Sequence, residues 1–268
     1  LKTKPLKFKD QLNREIVINN TPQRIISLVP SQTELLYDLG LKDKLVGQTI
    51  FCIHPKDEFS LATKIGGTKK LDIEKIKYLK PDLIIANKEE NEKTQIEALA
   101  EHFPVWISDV NRFEDAVNMI HDLGEITQTQ EKADLIAHQI RHKRRIFNEK
   151  GSSKPRVIYL IWKNPWIGVG KNTFIDAMLH EAGFENVLSK NRYPELSSED
   201  IKKNNPDYIF LSTEPFPFKE EHKIEMNQLY QNNNSIIVDG EMFSWYGSRL
   251  VKAFQYFENL RKELNLSD

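Results

Sequence analysis

The stretch Arg24-Ile25-Ile26-Ser27-Leu28-Val29-Pro30-Ser31-Gln32-Thr33-Glu34-Leu35-Leu36-Tyr37-Asp38-Leu39-Gly40 decides the fold class. Arg24 to Val29 is rich in β-branched and aliphatic side chains and suits a short strand. Pro30-Ser31-Gln32 then makes a turn. From Thr33 to Leu39 the apolar residues fall on one helical face, until Gly40 stops the helix. Working outward, Leu45 to Thr49, Leu83 to Ala86 and Val105 to Ile107 repeat the strand signal, while Asp72 to Leu79 and Glu92 to His102 read as helices. Strands alternating with helices imply parallel pairing through right-handed crossovers, and hence an α/β fold.

The second half of the chain repeats the first. Glu74-x-Ile76 followed by Pro81-Asp82-Leu83-Ile84 has a partner in Glu199-x-Ile201 followed by Pro206-Asp207-Tyr208-Ile209, at a constant offset of 125. Arg24-Ile-Ile-Ser-Leu matches Arg156-Val-Ile-Tyr-Leu, each leading to a helix that ends at a glycine, Gly40 or Gly183. Val105-Trp-Ile-Ser-Asp109 with Phe113 resembles Ile236-Ile-Val-Asp239 with Phe243. Three pairs in the same order argue for two copies of one lobe. Thr127 to Lys150 contains no Gly or Pro and carries Ala133, Ile136, Ile140 and Ile146 among many charges, which predicts one long connecting helix ended by Gly151-Ser-Ser-Lys-Pro155. The expected organisation is an N-terminal lobe at 1–126, the connecting helix at 127–150 and a C-terminal lobe at 151–268, with parallel sheets in Rossmann-like lobes.

A length of 268 residues suits two domains of ordinary size. Lys plus Arg total 38 and Asp plus Glu 39, a balance that argues against nucleic acid as a partner. A 39% hydrophobic fraction with 10% aromatics excludes a disordered chain. No apolar run approaches the ~20 residues of a membrane span. The sequence begins Leu1-Lys2-Thr3-Lys4-Pro5, with neither initiator Met nor apolar leader, so any export signal has been removed or never existed, and a cytoplasmic location stays open. The single cysteine, Cys52, rules out an internal disulfide or a multi-cysteine metal site.

Signatures of catalysis are absent. Gly168-Val-Gly170-Lys171-Asn172-Thr173 is similar to a phosphate loop, but Pro165 stands where its first glycine belongs and Asn172 where its magnesium-binding hydroxyl belongs. His138 and His142 are four apart, yet among Arg141, Lys143, Arg144 and Arg145 they read as a solvated face. Cys52 and His54 lack a third ligand and read as a buried thiol and a turn histidine. No resident cofactor and no metal site are expected.

Ligands in open α/β sheets gather beyond the carboxyl ends of the strands. Those positions hold Pro30, Ser31 and Gln32, Phe51, Asn87 and Lys88 in the first copy. In the second they hold Trp162 and Trp166 and the run Gly240 to Arg249, with Phe243, Trp245, Tyr246 and Arg249. Aromatic walls with a few polar points describe a small-molecule cleft. Phe243, Trp245 and Tyr246 face either a ligand or the core. Glu74 and Glu199 occupy equivalent first turns of two helices, where the helix dipole alone favours a carboxylate. As a duplicated pair they are also two acidic knobs, one per lobe, for paired basic residues of a symmetric partner.

These residues together resemble the helical-backbone class of substrate-binding proteins of bacterial ABC importers. The motifs are Arg24 to Glu34 with Leu39-Gly40, Val46-Gly47, Ile65-Gly66-Gly67, Asp72-Ile-Glu74, Lys80 to Ala86 and Asn205-Pro-Asp207, and the resemblance runs from about Arg24 to Leu264. It implies two lobes on a connecting helix with ligand held between them, a monomer without enzymatic activity, and a location in the periplasm or on the outer face of the cytoplasmic membrane. It also implies a permease dimer as partner, engaged by Glu74 and Glu199. The cobalamin-binding branch is the most similar. It implies a corrinoid contacted by the Pro30-Ser31 turn, Phe51, the Asn87 loop, the region of Trp166 and the loop from Phe243 to Arg249. Haem or a ferric siderophore is the alternative ligand: Tyr246 or His54 could ligate haem iron, and Arg249 could meet a carboxylate or phosphate. A chelatase-like enzyme on the same architecture is the alternative of a different class; it needs a convergent His/Glu set, for which the sequence offers His54 and Glu89.

Overall fold

In the computed structural model, which describes residues 5–56, 61–148, 154–230 and 234–266, the chain falls into two units. Unit 1 comprises Leu1–Val110, Glu114–Ile140 and Tyr246–Arg249; unit 2 comprises Asn111–Phe113, Arg141–Trp245 and Leu250–Asp268.

Unit 1 opens with an antiparallel hairpin, β1 (Leu6–Lys9) and β2 (Glu15–Ile18). There follow β3 (Ile25–Ser27), α1 (Pro30–Asp38), β4 (Leu45–Gln48), β5 (Thr63–Lys64) and α2 (Ile73–Leu79). Then come β6 (Leu83–Asn87), α3 (Lys93–Ala100), β7 (Val105–Ser108), α4 (Phe113–Thr127), whose first residue belongs to unit 2, and α5 (Gln130–Asn148), which belongs to unit 1 as far as Ile140. The sheet runs β5-β4-β3-β6-β7 with every pair parallel. A parallel sheet covered on both faces needs strands that are apolar throughout, and β6 and β7 are buried at every position. Ile26, Leu28, Ile84, Ala86, Val105 and Ile107 from the strands meet Ile76, Ile96 and Leu99 from the helices in one core. Helix α1 begins at Pro30 itself, three residues before the helical pattern declares itself. Pro suits that position, because its missing N–H would have no intrahelical partner and its φ is already helical. On α5, Ala133, Ile136, Ala137 and Ile140 form a buried stripe at helical spacing. Glu149 to Ser153, the expected end of the connecting helix and its first breakers, lie outside the described residues.

Unit 2 is built from β8 (Arg156–Trp162), β9 (Trp166–Gly168), α6 (Phe174–Glu181), β10 (Glu185–Asn186), β11 (Glu195–Leu196) and α7 (Ser198–Asn204). It continues with β12 (Tyr208–Ser212), α8 (Glu220–Tyr230), β13 (Ser235–Val238), α9 (Gly240–Ser244) and α10 (Leu250–Glu263). Strands β8, β12 and β13 pair parallel, as in unit 1, and β10 joins the head of β8 in the same sense. Strands β9 and β11 add an antiparallel edge to this parallel core. Of the phosphate-loop-like glycines, Gly168 serves that edge, since a Cβ there would lie 2.7 Å from a Leu196 methyl, while Gly170 admits the Lys190 carbonyl, 2.0 Å from where its Cβ would be. Among the described residues, no helix is long and apolar enough to cross a membrane.

The internal repeat survives in detail at α2 and α7. Each has seven residues and an N-cap side chain that accepts a backbone N–H, Asp72 from Lys75 and Ser197 from Asp200. Each ends on a left-handed residue, Lys80 (φ 46°) or Asn205 (φ 43°), directly before Pro81 or Pro206.

Candidate ligand-binding and docking site

The carboxyl rim of the unit 1 sheet is polar below and apolar at one margin. Asn87 at the end of β6 accepts the N–H groups of Glu89 (2.8 Å) and Glu90 (2.9 Å) with its Oδ1 and donates to the Ser108 hydroxyl (3.0 Å) at the end of β7. Gln32 in the first turn of α1 donates to the same hydroxyl. This network sits beneath the rim, with Gln32, Asn87 and Ser108 all buried. Its donors are satisfied, while the Gln32 side-chain oxygen and the neighbouring Ser31 hydroxyl are buried without a hydrogen-bond partner. Lys88, exposed, reaches Asp109 at 2.6 Å. Past β4 the chain turns outward and leaves Phe51 53% exposed, its ring against Gly67, where a Cβ would lie 3.1 Å from the ring edge.

The segment Tyr246–Arg249 completes this rim. Tyr246 is buried and its hydroxyl donates to Glu90 at 2.9 Å; burial first, and then the Glu90 charge, push its ionisation well above the ordinary phenol range. At that position it is a neutral hydrogen-bond donor whose proton is already committed. Gly247 has φ +106° and packs against α1, where a Cβ would lie 3.3 Å from the Ser31 carbonyl. Arg249 meets Glu34 of α1 in a bidentate pair, Nε to Oε2 and Nη2 to Oε1, both 2.8 Å, with both side chains buried. The carboxylate that Arg249 engages is therefore the protein's own. Unit 1 thus brings together Pro30, Ser31, Gln32, Asn87, Lys88, Tyr246 and Arg249 from three separate stretches of sequence, with Phe51 from a fourth at the margin.

The rim of unit 2 is aromatic. Trp162 closes β8 and is 40% exposed, and its ring meets Phe216 edge-on at 5.7 Å. Trp166, half-buried at the start of β9, stacks on Phe218 at 6.2 Å with 11° between the planes. Phe216 and Phe218 touch each other at 4.7 Å, and both touch His222. Phe216 and Phe218 lie in Glu214-Pro-Phe-Pro-Phe218, the turn after β12, which the Phe216 N–H ties to the Ile161 carbonyl at 3.3 Å. The Lys163 ammonium stands 5.8 Å over the Trp166 ring and pairs with Glu225. Sequence reasoning missed Phe216 and Phe218. The alternation of proline and phenylalanine outside any periodic segment was the signal available.

Phe243 and Trp245 lie deeper. Phe243 is fully buried on α9 among Tyr159, Phe210 and Phe257. Trp245 is buried and hydrogen-bonds Glu214, to which the Ser244 hydroxyl also donates. Burial raises the Glu214 carboxyl above the usual range and the nearby Glu241 and Asp239 add to that, while the bonds from Ser244 and Trp245 oppose it. Cys52, also buried, has its thiol raised by desolvation against bonds to Thr33 and Thr49. Among the described residues, no three His, Cys, Asp or Glu side chains stand close enough together to hold a metal ion.

Glu74 and Glu199 sit at the second position of α2 and α7, just past their N-caps. Glu74 has its side chain 85% exposed with Lys77 at 3.2 Å, a contact worth little in water. Glu199 is likewise exposed.

Residues 25–233 match the family described as periplasmic binding protein. A Bacillus subtilis protein named an uncharacterized ABC transporter substrate-binding lipoprotein is 28% identical over 267 residues, covering 94% of this chain and 83% of that one. The vitamin B12-binding protein of Vibrio parahaemolyticus is 29% identical over 199 residues, 72% of each chain. In the fold, the chain superposes on the periplasmic vitamin B12-binding protein of Vibrio cholerae with a TM-score of 0.77 at 23% identity, over 90% of this chain and 99% of the other.

Proposed function

Since this chain belongs to the periplasmic binding protein family, we propose that it captures cobalamin or a related corrinoid and hands it to a membrane permease. It is a substrate-binding protein of an ABC transporter, of the cobalamin, haem and siderophore type, placed in the periplasm or on the outer face of the membrane. Proteins of this family bind without turnover, so the chain is not an enzyme.

The observation that carries the ligand reading is the aromatic rim of unit 2. Trp162, 40% exposed, and the half-buried Trp166 and Phe216 form one contiguous group at the rim, seated on Phe218, which is buried in the unit 2 core. An apolar face of a corrinoid laid on these rings removes their exposed area from water, a gain of about 25 cal/mol per Å². Taken by itself, unit 1 presents a polar rim, with Lys88 exposed above the hydrogen bonds of Asn87 to Ser108 and Glu89.

The test is calorimetric titration with cyanocobalamin, haemin and a ferric hydroxamate in parallel. Cyanocobalamin is the expected binder. Replacing Trp162 and Trp166 together by Ala should weaken it about tenfold or more. The double variant should still unfold cooperatively but at a lower denaturant midpoint, because Trp166 also packs against the unit 2 core, whereas the 40% exposed Trp162 contributes less. Tighter binding of haemin or the hydroxamate overturns the corrinoid reading, and an unchanged affinity in the double variant removes the aromatic rim from it.

A further inference from the structure

In each unit one arginine bolts the end of a short helix to the head of the first core strand. Arg24, the residue before β3, donates to the Leu79 carbonyl from Nε (3.0 Å) and Nη2 (2.6 Å) and to the Lys80 carbonyl from Nε (3.2 Å). Asp82 closes the ring. Its carboxylate accepts the backbone N–H groups of Arg24 and Gln23, both at 2.8 Å, and its own N–H donates to the Arg24 carbonyl at 2.9 Å.

Unit 2 repeats the arrangement. Arg156, the first residue of β8, donates to the Asn204 carbonyl from Nη2 (2.8 Å) and to the Asn205 carbonyl from Nη1 (2.9 Å). The Asp207 carboxylate accepts the Arg156 N–H at 2.7 Å, and the Asp207 N–H donates to the Arg156 carbonyl at 2.7 Å. The acceptors correspond one to one: Leu79 with Asn204, Lys80 with Asn205 and Asp82 with Asp207, each 125 residues apart.

The chemistry explains the choice of arginine. The last carbonyls of a helix have no partner within it, and that end carries negative partial charge. A planar guanidinium reaches two adjacent carbonyls at once, which an ammonium does not. Helices of seven residues are too short to hold their own shape in water. Ile76 and Ile201, both fully buried, seat the middle of each helix, and the clamp fixes its carboxyl end.

We propose that Arg24 and Arg156 are positioning residues for transporter docking, holding α2 and α7 by their carboxyl ends so that Glu74 and Glu199 are presented at fixed points. This rests on the reading of those glutamates as docking groups. Each glutamate lies five residues upstream of the first clamped carbonyl, about 7.5 Å along the helix, so a pivot at the clamp displaces it directly.

The experiment measures association of the cyanocobalamin-loaded protein with its permease dimer in nanodiscs, for the wild type, the Arg24→Gln/Arg156→Gln pair, the Glu74→Gln/Glu199→Gln pair and the combined quadruple variant. The arginine pair should lose about tenfold or more in association while cyanocobalamin affinity stays within about twofold. Amide exchange over 73–79 and 198–204 should accelerate. In the quadruple variant the arginine changes should add nothing further, since their effect passes through the glutamates, whereas a general loss of stability would add in full. Normal association of the arginine pair, or a full additive loss in the quadruple variant, overturns the proposal. Normal association of the glutamate pair would show instead that the docking reading itself is wrong. Should the Gln forms fail to fold, Arg24→Lys/Arg156→Lys keeps the charge without the fork and should show a smaller loss of the same kind; wild-type association there overturns the role of the fork.

Discussion

Glu34 and Arg249 stand 215 residues apart in the chain, and the fold closes them into a buried two-bond pair. Charges removed from water are held there by each other. Truncating one leaves the other's charge buried without its two-bond counterpart, so Glu34→Ala or Arg249→Ala should each lower unfolding free energy by about 3–5 kcal/mol in urea titrations. The apolar pair Glu34→Leu/Arg249→Met should recover much of that, since neither charge then remains to be desolvated. Equal losses in the single and paired variants would mean that the ion pair is not what those positions supply. Asp122 on α4 behaves in the opposite way. Partial burial, with Glu125 adding to it and His121 opposing, pushes its carboxyl up to about 6. With the folded value raised, the unfolded chain releases this proton from about pH 4, while the folded chain keeps it to about pH 6. The group therefore costs stability that accumulates across that window and persists above it. Asp122→Asn should raise stability at pH 7 relative to pH 4 by about 1 kcal/mol, after discounting for the group's solvent contact. Parallel pH profiles of the two proteins by thermal unfolding would contradict the assignment.

Elements were more legible in the sequence than the partners of their side chains. Short β-branched runs alternating with helical stripes announced β3, β4, β6 and β7, and the 125-residue offset announced α7 and β12 from α2 and β6. Each signal is local, or is a repeat of a local one. Sequence pattern stopped where a residue's role is set by distant chain. The run Gly240 to Arg249 reads as one aromatic loop, but Phe243 and Trp245 are buried in unit 2 while Tyr246 to Arg249 pack in unit 1. No periodicity distinguishes a ring turned toward solvent from one inserted among Tyr159, Phe210 and Phe257. Strands β9 and β11 were hidden for another reason. With three and two residues they carry almost no pattern, and the close approach of Leu196 to β9 needs Gly168, a residue equally ordinary in a loop. Helix α1 shows the reverse: Pro30 reads as a turn residue from sequence, although at the first helical position it begins the helix.

For the molecule as a whole, duplication matters because it yields two like groups on one chain. Glu74 and Glu199 lie at the same step of helices capped alike at both ends, and each is exposed to solvent with no packing role to fulfil. A single exposed carboxylate binds a cation weakly in water. Two that engage one partner make the second contact intramolecular, and the pair gains far more than either alone, by factors that reach about 10²–10⁴ when the geometry permits both. Reversing one charge then removes more than one contact's worth of binding, since it abolishes the shared gain as well as adding repulsion. Glu74→Lys and Glu199→Lys should therefore each cut permease association and vitamin uptake by about tenfold or more, and by similar factors. The double variant should lose transport altogether, with cyanocobalamin affinity within about twofold of the original in all three. Association measured in nanodiscs and uptake in cells check the same claim from two sides. If one single variant is inert and the other is as damaged as the double, docking proceeds through one unit, and the repeat serves the fold alone.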